Sequence, residues 1–231
     1  MGAFVQSRSV DAGNVSSAAL TFNSSTVSGN LATVAIQVGE QDDVVTSVTD
    51  NKGNTYTRRS FQPSTGAEAA VYIYDAKNIV GGASHQITVT LSTAKNLRFA
   101  IHEYSGADTT SPFDQVADDF GNSTTLSSGN LTTTQAMELL FCAGITRDGR
   151  TFTPDGTFTQ REVIPAAANT RLVTQDRMVT AIGTYAGTFT LNSSNPWACA
   201  LVSYKDSGVG HILFGQSASR GVGQGTFRGA H

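Results

Sequence analysis

The stretch Leu97-Arg-Phe-Ala-Ile-His-Glu-Tyr-Ser-Gly106 narrows the possible folds more than any other part of this chain. Small and large apolar residues run together in it without clean polar alternation, the pattern of a β-strand covered on both faces. One hundred residues later Trp197-Ala-Cys-Ala-Leu-Val-Ser-Tyr-Lys205 has the same character. Both stretches are expected at the middle of the fold.

The rest of the sequence supplies strands to surround them. Ala18–Phe22, Leu31–Val38, Val44–Thr49, Thr55–Arg58, Ala69–Asp75, Gln86–Leu91, Gln115–Phe120, Glu138–Ile145, Phe158–Ile164, Arg171–Thr180 and Gly187–Leu191 are rich in β-branched and aromatic residues. No segment shows sustained helical periodicity with caps. Asp50-Asn-Lys-Gly-Asn54 supplies residues tolerant of positive φ and is expected to close a hairpin between Val44–Thr49 and Thr55–Arg58. A chain of 231 residues is ordinary for one large all-β domain. The fold class is therefore all-β: a jelly-roll-like antiparallel β-sandwich over residues 18–206, with an N-terminal arm over 1–17 and a Gly-rich C-terminal arm over 207–231. Ser28-Gly-Asn-Leu31 recurs as Ser128-Gly-Asn-Leu131, Thr90-Leu91 as Thr190-Leu191, and Ala100 and Tyr104 as Ala200 and Tyr204. This clustering raises an internal duplication, about 18–106 and 118–206, whose copies would be complementary parts of one sandwich.

Charged residues make up 14% of the chain, below the ~25% usual for globular domains, while 30 Thr and 23 Ser supply the polar surface. A net charge of −3 without a basic cluster argues against a nucleic-acid partner. No apolar run approaches the ~20 residues that span a bilayer, so no membrane partner is expected. Met1–Arg8 has no apolar core of a signal peptide; the expected location is a virion or, with a leader removed, the extracellular space. Cys142 and Cys199 each sit in an apolar run, and are either buried free thiols or a bridge between neighbouring strands.

Val48–Tyr56, Tyr74–Ile79 with Gly81-Gly82, Ile87–Thr90, Glu103-Tyr-Ser-Gly106 and Glu138–Phe141 resemble a poorly characterised β-sandwich module. That module recurs in bacterial secreted and surface proteins and in phage-associated proteins. The resemblance covers about residues 18–205 and implies a fold and an extracellular or virion setting. It brings no catalytic motif.

Candidate chemistry is sparse. His102 and Glu103 are neighbours on one strand, so they point to opposite faces and cannot grip one ion together. His85, His211 and His231 lack metal-ligand spacing. The paired carboxylates Asp42-Asp43 and Asp118-Asp119 are weak candidates for a calcium site, which needs six to eight oxygens, or are solvated turn residues. There is no Gly-x-Ser-x-Gly elbow, and Gly221-Val-Gly-Gln-Gly225 follows no strand and opens no helix. An exposed Tyr56, Tyr72, Tyr74, Tyr185 or Trp197 would stack on a sugar, and Trp197 beside Pro196 is the possible glycan contact.

The C-terminal segment carries seven glycines in its 25 residues, spaced apolar anchors at Ile212, Leu213, Phe214, Val222 and Phe227, and two cations, Arg220 and Arg228. Its charge of +2 leaves −5 on the rest of a chain totalling −3. Spaced anchors and opposite charge suit docking on a neighbouring copy or another subunit. The expectation is a non-enzymatic structural protein without a cofactor, a phage virion component such as a capsid decoration or tail-associated protein. A secreted carbohydrate-binding or adhesive module is the alternative.

Overall fold

A computed structural model describes residues 2–166 and 168–208. The described chain is a β-sandwich of two large antiparallel sheets. The first takes β1 (Ala3–Thr21), β2 (Leu31–Val38), β3 (Val45–Asp50), β4 (Thr57–Ser64), β5 (Ala69–Ala76) and β6 (Gln86–Ser105), in the order β1-β6-β2-β5-β4 with β3 also on β6. The chain continues through β7 (Phe113–Ser127), β8 (Leu131–Thr132), β9 (Glu138–Arg150), β10 (Phe152–Pro154), β11 (Thr159–Ile164), β12 (Thr170–Val179), β13 (Thr184–Tyr185) and β14 (Thr188–Lys205). The second sheet runs β10-β14-β9-β12-β11 with β7 also on β14. It repeats the first strand for strand: β7 stands for β1, β9 for β2, β10 for β3, β11 for β4, β12 for β5 and β14 for β6. The ribbon of β8 and β13 belongs to the second half only.

Registers make the correspondence exact at particular residues. Leu31 and Ala35 pair with Tyr104 and Ala100, as Leu139 and Ala143 pair with Tyr204 and Ala200. Thr90-Leu91 and Thr190-Leu191 also hold matching places, opposite Val45 and Ser47 and opposite Phe152 and Thr153. The turns at Ser28 and Ser128 act alike, since each hydroxyl accepts an amide, Gly81 N–H in one and Gly187 N–H in the other, both at 3.0 Å. Leu131, however, enters the extra ribbon, and Leu139 takes the place that Leu31 has in the first half.

Each half also closes over a core of its own. β6 is one strand where the sequence suggests two. Its first part pairs with β3 and the end of β1, its second with β2 and the start of β1, and the pairing with β1 shifts between Val15 and Ser17. The two long strands thus bend from one layer into another. Between the layers lie Leu20, Val34, Ile36, Val48, Tyr72, Val89, Phe99 and Ile101. β7 and β14 bend in the same way, with a shift between Thr190 and Asn195, over Leu126, Leu140, Val173, Phe189, Leu191 and Leu201. A third core joins the halves: Leu31, Ala35, Val71, Ile73, Ala100 and Tyr104 meet Leu139, Phe141, Ala143, Leu172, Val202 and Tyr204. This is why the central strands lack polar alternation: one face fills the half's own core and the other fills the seam.

Two expectations are corrected. Residues 3–17 are not an arm. They pair along β6, where polar side chains such as Ser7, Ser9 and Asp11 suit a strand that is only partly covered. Nor do β3 and β4 form a hairpin: β3 pairs with β6 and β4 with β5. The turn between them is real, with Gly53 at φ +80°, and Asp50 Oδ1 accepts the amides of Lys52 (2.9 Å) and Asn54 (3.0 Å). It carries the chain between layers.

The seam is fastened by two reciprocal clamps. In β4 the extra residue of a bulge is Arg59, between the pairs Arg58–Tyr74 and Ser60–Ile73; in β11 it is Arg161, between Gln160–Gln175 and Glu162–Thr174. A bulge re-aims its side chain, and each arginine turns onto a carboxylate of the neighbouring strand. Arg59 Nε and Nη2 donate to Asp75 at 2.6 and 3.1 Å, and Arg161 Nε and Nη2 to Asp176 at 2.7 and 2.9 Å. The other half closes each pair. Phe4 lies 3.8 Å from the Arg161 guanidinium and the Tyr104 hydroxyl donates to Asp176 at 2.8 Å. Phe113 lies 4.4 Å from that of Arg59, and Tyr204 faces Asp75. Each half gives Phe and Tyr to one clamp and Arg and Asp to the other, which is the reciprocity of a two-fold interface.

Removing one member of such a pair leaves a buried charge unmatched, at a cost of about 3–5 kcal/mol. Arg161→Ala is expected to lower stability by about 3 kcal/mol, and Arg161→Lys to recover only part of it because an ammonium lacks the two-pronged fork. Urea unfolding of the three proteins measures both.

Candidate functional site at the lobe seam

Polar groups run along the seam between the clamps. His102 and Thr33 on the first half face Thr174 on the second, and His102 Nε2 lies 2.9 Å from Thr174 Oγ1. At the positions that correspond, the other side of the axis has Val202 and Ile73, both apolar and buried. Two further links have their chemistry exchanged. Ser9 on β1 donates to Glu162 on β11 at 2.6 Å, and Ser60 on β4 donates to Asp118 on β7 at 2.8 Å. Ser7 also donates to Glu162, at 2.5 Å.

His102 is fully buried against Phe141, with ring centroids 4.9 Å apart. Burial, with the Arg161 charge nearby, pushes its imidazole from 6.5 down to about 3. Burial likewise raises the Asp75 carboxyl, against the pull of Arg59. Glu103 points away from the seam and accepts from Gln6 Nε2, the Val27 amide and Asn30 Nδ2, each at 2.7 Å. His102 and Glu103 thus serve different surfaces.

Elsewhere, His85 Nε2 meets Asp50 Oδ2 at 2.7 Å and its Nδ1 meets Thr26 Oγ1 at 2.8 Å. The order hydroxyl, imidazole, carboxylate is that of a nucleophile relay. Thr26 is only 5% exposed, however, and its Oγ1 also takes the Gly82 amide at 3.2 Å. The arrangement pins the loop after β1 and the turn after β3 to the start of β6. Burial raises the Asp50 carboxyl, but the hydrogen bonds from Asn54, His85 and the turn amides outweigh it and hold it below its ordinary value.

The other sequence candidates scatter. Asp43 pairs with Arg58 at 2.5 Å, Asp42 offers its carbonyl to Tyr72 Oη, Asp118 is on the seam, and Asp119 is exposed on β7. No group of three or more His, Cys, Asp or Glu able to hold a metal occurs among the described residues. Trp197 is corrected as a glycan platform. It is 6% exposed, its ring covers the backbone of Gly121, and its Nε1 donates to Ser123 Oγ at 3.0 Å. Tyr72 and Tyr74 are buried as well, and Tyr56 gives its hydroxyl to Asp50. Cys142 and Cys199 are free and buried, with sulfurs 3.6 Å apart on neighbouring strands. Ile212, Leu213, Phe214, Arg220, Val222, Phe227 and Arg228, with His211 and His231, lie outside the described residues.

Two places were not singled out by the sequence. One is the meeting of the two ends of the sandwich: the Gly2 amide donates to Asp206 Oδ2, the Asp206 amide to the Met137 carbonyl, and Asp206 bridges to Ala107. The other is an open cleft of about 440 Å³ at the opposite end of the seam, around Arg98, Arg147 and Arg171. No known protein family, no curated protein and no solved structure matches the chain.

His102 makes a pH prediction. In the unfolded chain its imidazole takes a proton near 6.5, while in the fold it stays neutral down to about 3. Between these values the unfolded state binds more protons, so this group makes stability fall as the pH falls, by roughly 1.4 kcal/mol per pH unit. His102→Val, which installs the residue found at 202, is expected to flatten the fall between pH 6 and 4 by about that slope. Urea unfolding at several pH values compares the two.

Proposed function

We propose that the protein is a non-enzymatic structural and assembly component, of the kind found in phage virions as a capsid decoration or tail-associated protein. It docks on copies of itself or on another structural subunit through its C-terminal segment. The observation that carries this reading is the meeting of Gly2 and Asp206, which puts both ends of the body at one pole. In sequence Asp206 precedes the residues Ile212, Leu213, Phe214, Val222 and Phe227, and a docking segment is most effective when the residue it follows is fixed to a rigid body.

The body supports the same reading. Its most costly polar groups, the Arg59–Asp75 and Arg161–Asp176 pairs, are each covered by aromatic side chains of the other half, which holds the two halves together. A charge-poor, hydroxyl-rich surface suits close packing among neighbours, since fewer charges must be desolvated. The resemblance of Val48–Tyr56 and Glu103–Gly106 to modules of phage-associated and bacterial surface proteins favours a virion or extracellular setting. The N-terminal strand is taken up by the sheet, so docking falls to the C-terminal segment alone.

Deleting residues 209–231 is expected to leave the β signature and the unfolding transition of the body unchanged while abolishing assembly. Sedimentation of the full chain and the deletion, alone and with candidate virion subunits, measures this. Equal assembly by both would refute the proposal.

A further inference from the structure

The geometry points to the cleft at the far end of the seam as a binding site for an acidic oligosaccharide, the arginines receiving a sugar carboxylate and the surrounding amides and carboxylates the hydroxyls. This does not depend on the assembly reading, because the cleft lies at the pole opposite Gly2 and Asp206.

The cleft belongs to the architecture of the molecule. Along β6 the seam face runs from Tyr104 in its clamp, through His102 and Ala100, to Arg98 in the cleft. Gly39, just after β2, and Arg147, near the end of the equivalent strand β9, both line it, as do Glu68 and Asn169, which precede β5 and β12. A cavity bordered by both members of such pairs lies on the two-fold axis. Its volume of about 440 Å³ falls within the ~300–1,000 Å³ of small-molecule sites.

The repeat itself shows where this pole has departed from symmetry. Counting along the matched strands, Arg98 corresponds to Ala198, Arg147 to Gly39 and Arg171 to Ala70. At each, one half has a guanidinium and the other a residue with little or no side chain. None of the three is needed to hold a clamp.

Part of the cluster is already set in place. Arg98 is held by Asp11 through Nε (3.1 Å) and by Gln37 through Nη1 (3.0 Å), and Arg171 is bonded to the Arg147 carbonyl. The exposed Arg147 guanidinium has no protein partner among the described residues. A guanidinium fork matches a carboxylate in two parallel bonds. Around the arginines stand side chains that donate and accept, Asn96 and Asn169, and the acceptor Glu68. Sugar hydroxyls do both and use such a mixture. Glu68 and Asp148 can accept from sugar hydroxyls, bonds that a compact inorganic anion without donors cannot make. With no aromatic ring in the lining, the apolar contacts fall to Ala67, Ala69 and Pro165.

The full chain is to be applied to an array of hexuronate-containing and neutral glycans, followed by calorimetry on the strongest hexuronate ligand with inorganic phosphate as control. Capture of hexuronate glycans is expected, with affinity reduced at least tenfold by Arg147→Ala combined with Arg171→Ala. Arg147→Gln alone, at an exposed side chain, guards against a folding artefact and is expected to weaken binding with an unchanged melting temperature. Capture of neutral glycans only, no capture, full affinity in these variants, or phosphate binding as tight as the glycan would each overturn the assignment.

Discussion

The structure depends on what two bulges do with two arginines. Without the extra residue, Arg59 and Arg161 would follow the alternation of their edge strands and have no reason to reach Asp75 and Asp176. A buried carboxylate alone is among the costliest groups a core can hold. Here each is met by a two-pronged guanidinium, whose face is in turn covered by a phenylalanine from the other half. Each ion pair forms within its own half, but it is covered only when the phenylalanine and tyrosine of the other half are in position. A seam made of apolar residues alone would tolerate sliding, since hydrophobic attraction is non-directional; a phenylalanine over each guanidinium and the Tyr104 hydroxyl on Asp176 favour one register.

Much of the architecture could be read from the chain. The apolar runs at Leu97–Gly106 and Trp197–Lys205 are the second parts of β6 and β14, and the matches at Ala100, Ala200, Tyr104 and Tyr204 are true equivalents because these two strands preserve a constant offset. The clamps were hidden by changes in that offset. Phe4 and Phe113 are separated by 109 positions, Arg59 and Arg161 by 102, and Asp75 and Asp176 by 101. The offset is 108 at Leu31 and Leu139 and drops to 102 at the arginines because the stretch between β9 and β11 is shorter than that between β2 and β4, so a search at one spacing misses them. The edge strand β1 was illegible for another reason: its polar outer face reads as an arm until its partner along β6 is known.

Candidate chemistry was harder still. Trp197 stands next to a proline at the entry of a strand, a position that resembles a surface platform, but Gly121 on the adjacent strand leaves room for the ring to fold inward. His85 and Asp50 are 35 positions apart and meet because the end of β3 pairs with the start of β6, where Asp50 lies opposite Ile87. The cleft arginines come from both halves, on β6, β9 and β12. Such groupings arise from the packing of layers, and no local spacing encodes them.

The exchanged hydroxyl and carboxylate links have a consequence for how a repeated chain avoids pairing with the wrong half. Two copies of the first half, placed as the halves are here, would set Ser9 against Ser60, two neutral groups. Two copies of the second would set Asp118 against Glu162, a meeting of like charges that costs several kcal/mol at an interface. Only the mixed pair gives each carboxylate a donor. By splitting one polar contact into unlike partners, the sequence keeps a two-fold architecture while making self-recognition by its second half unfavourable.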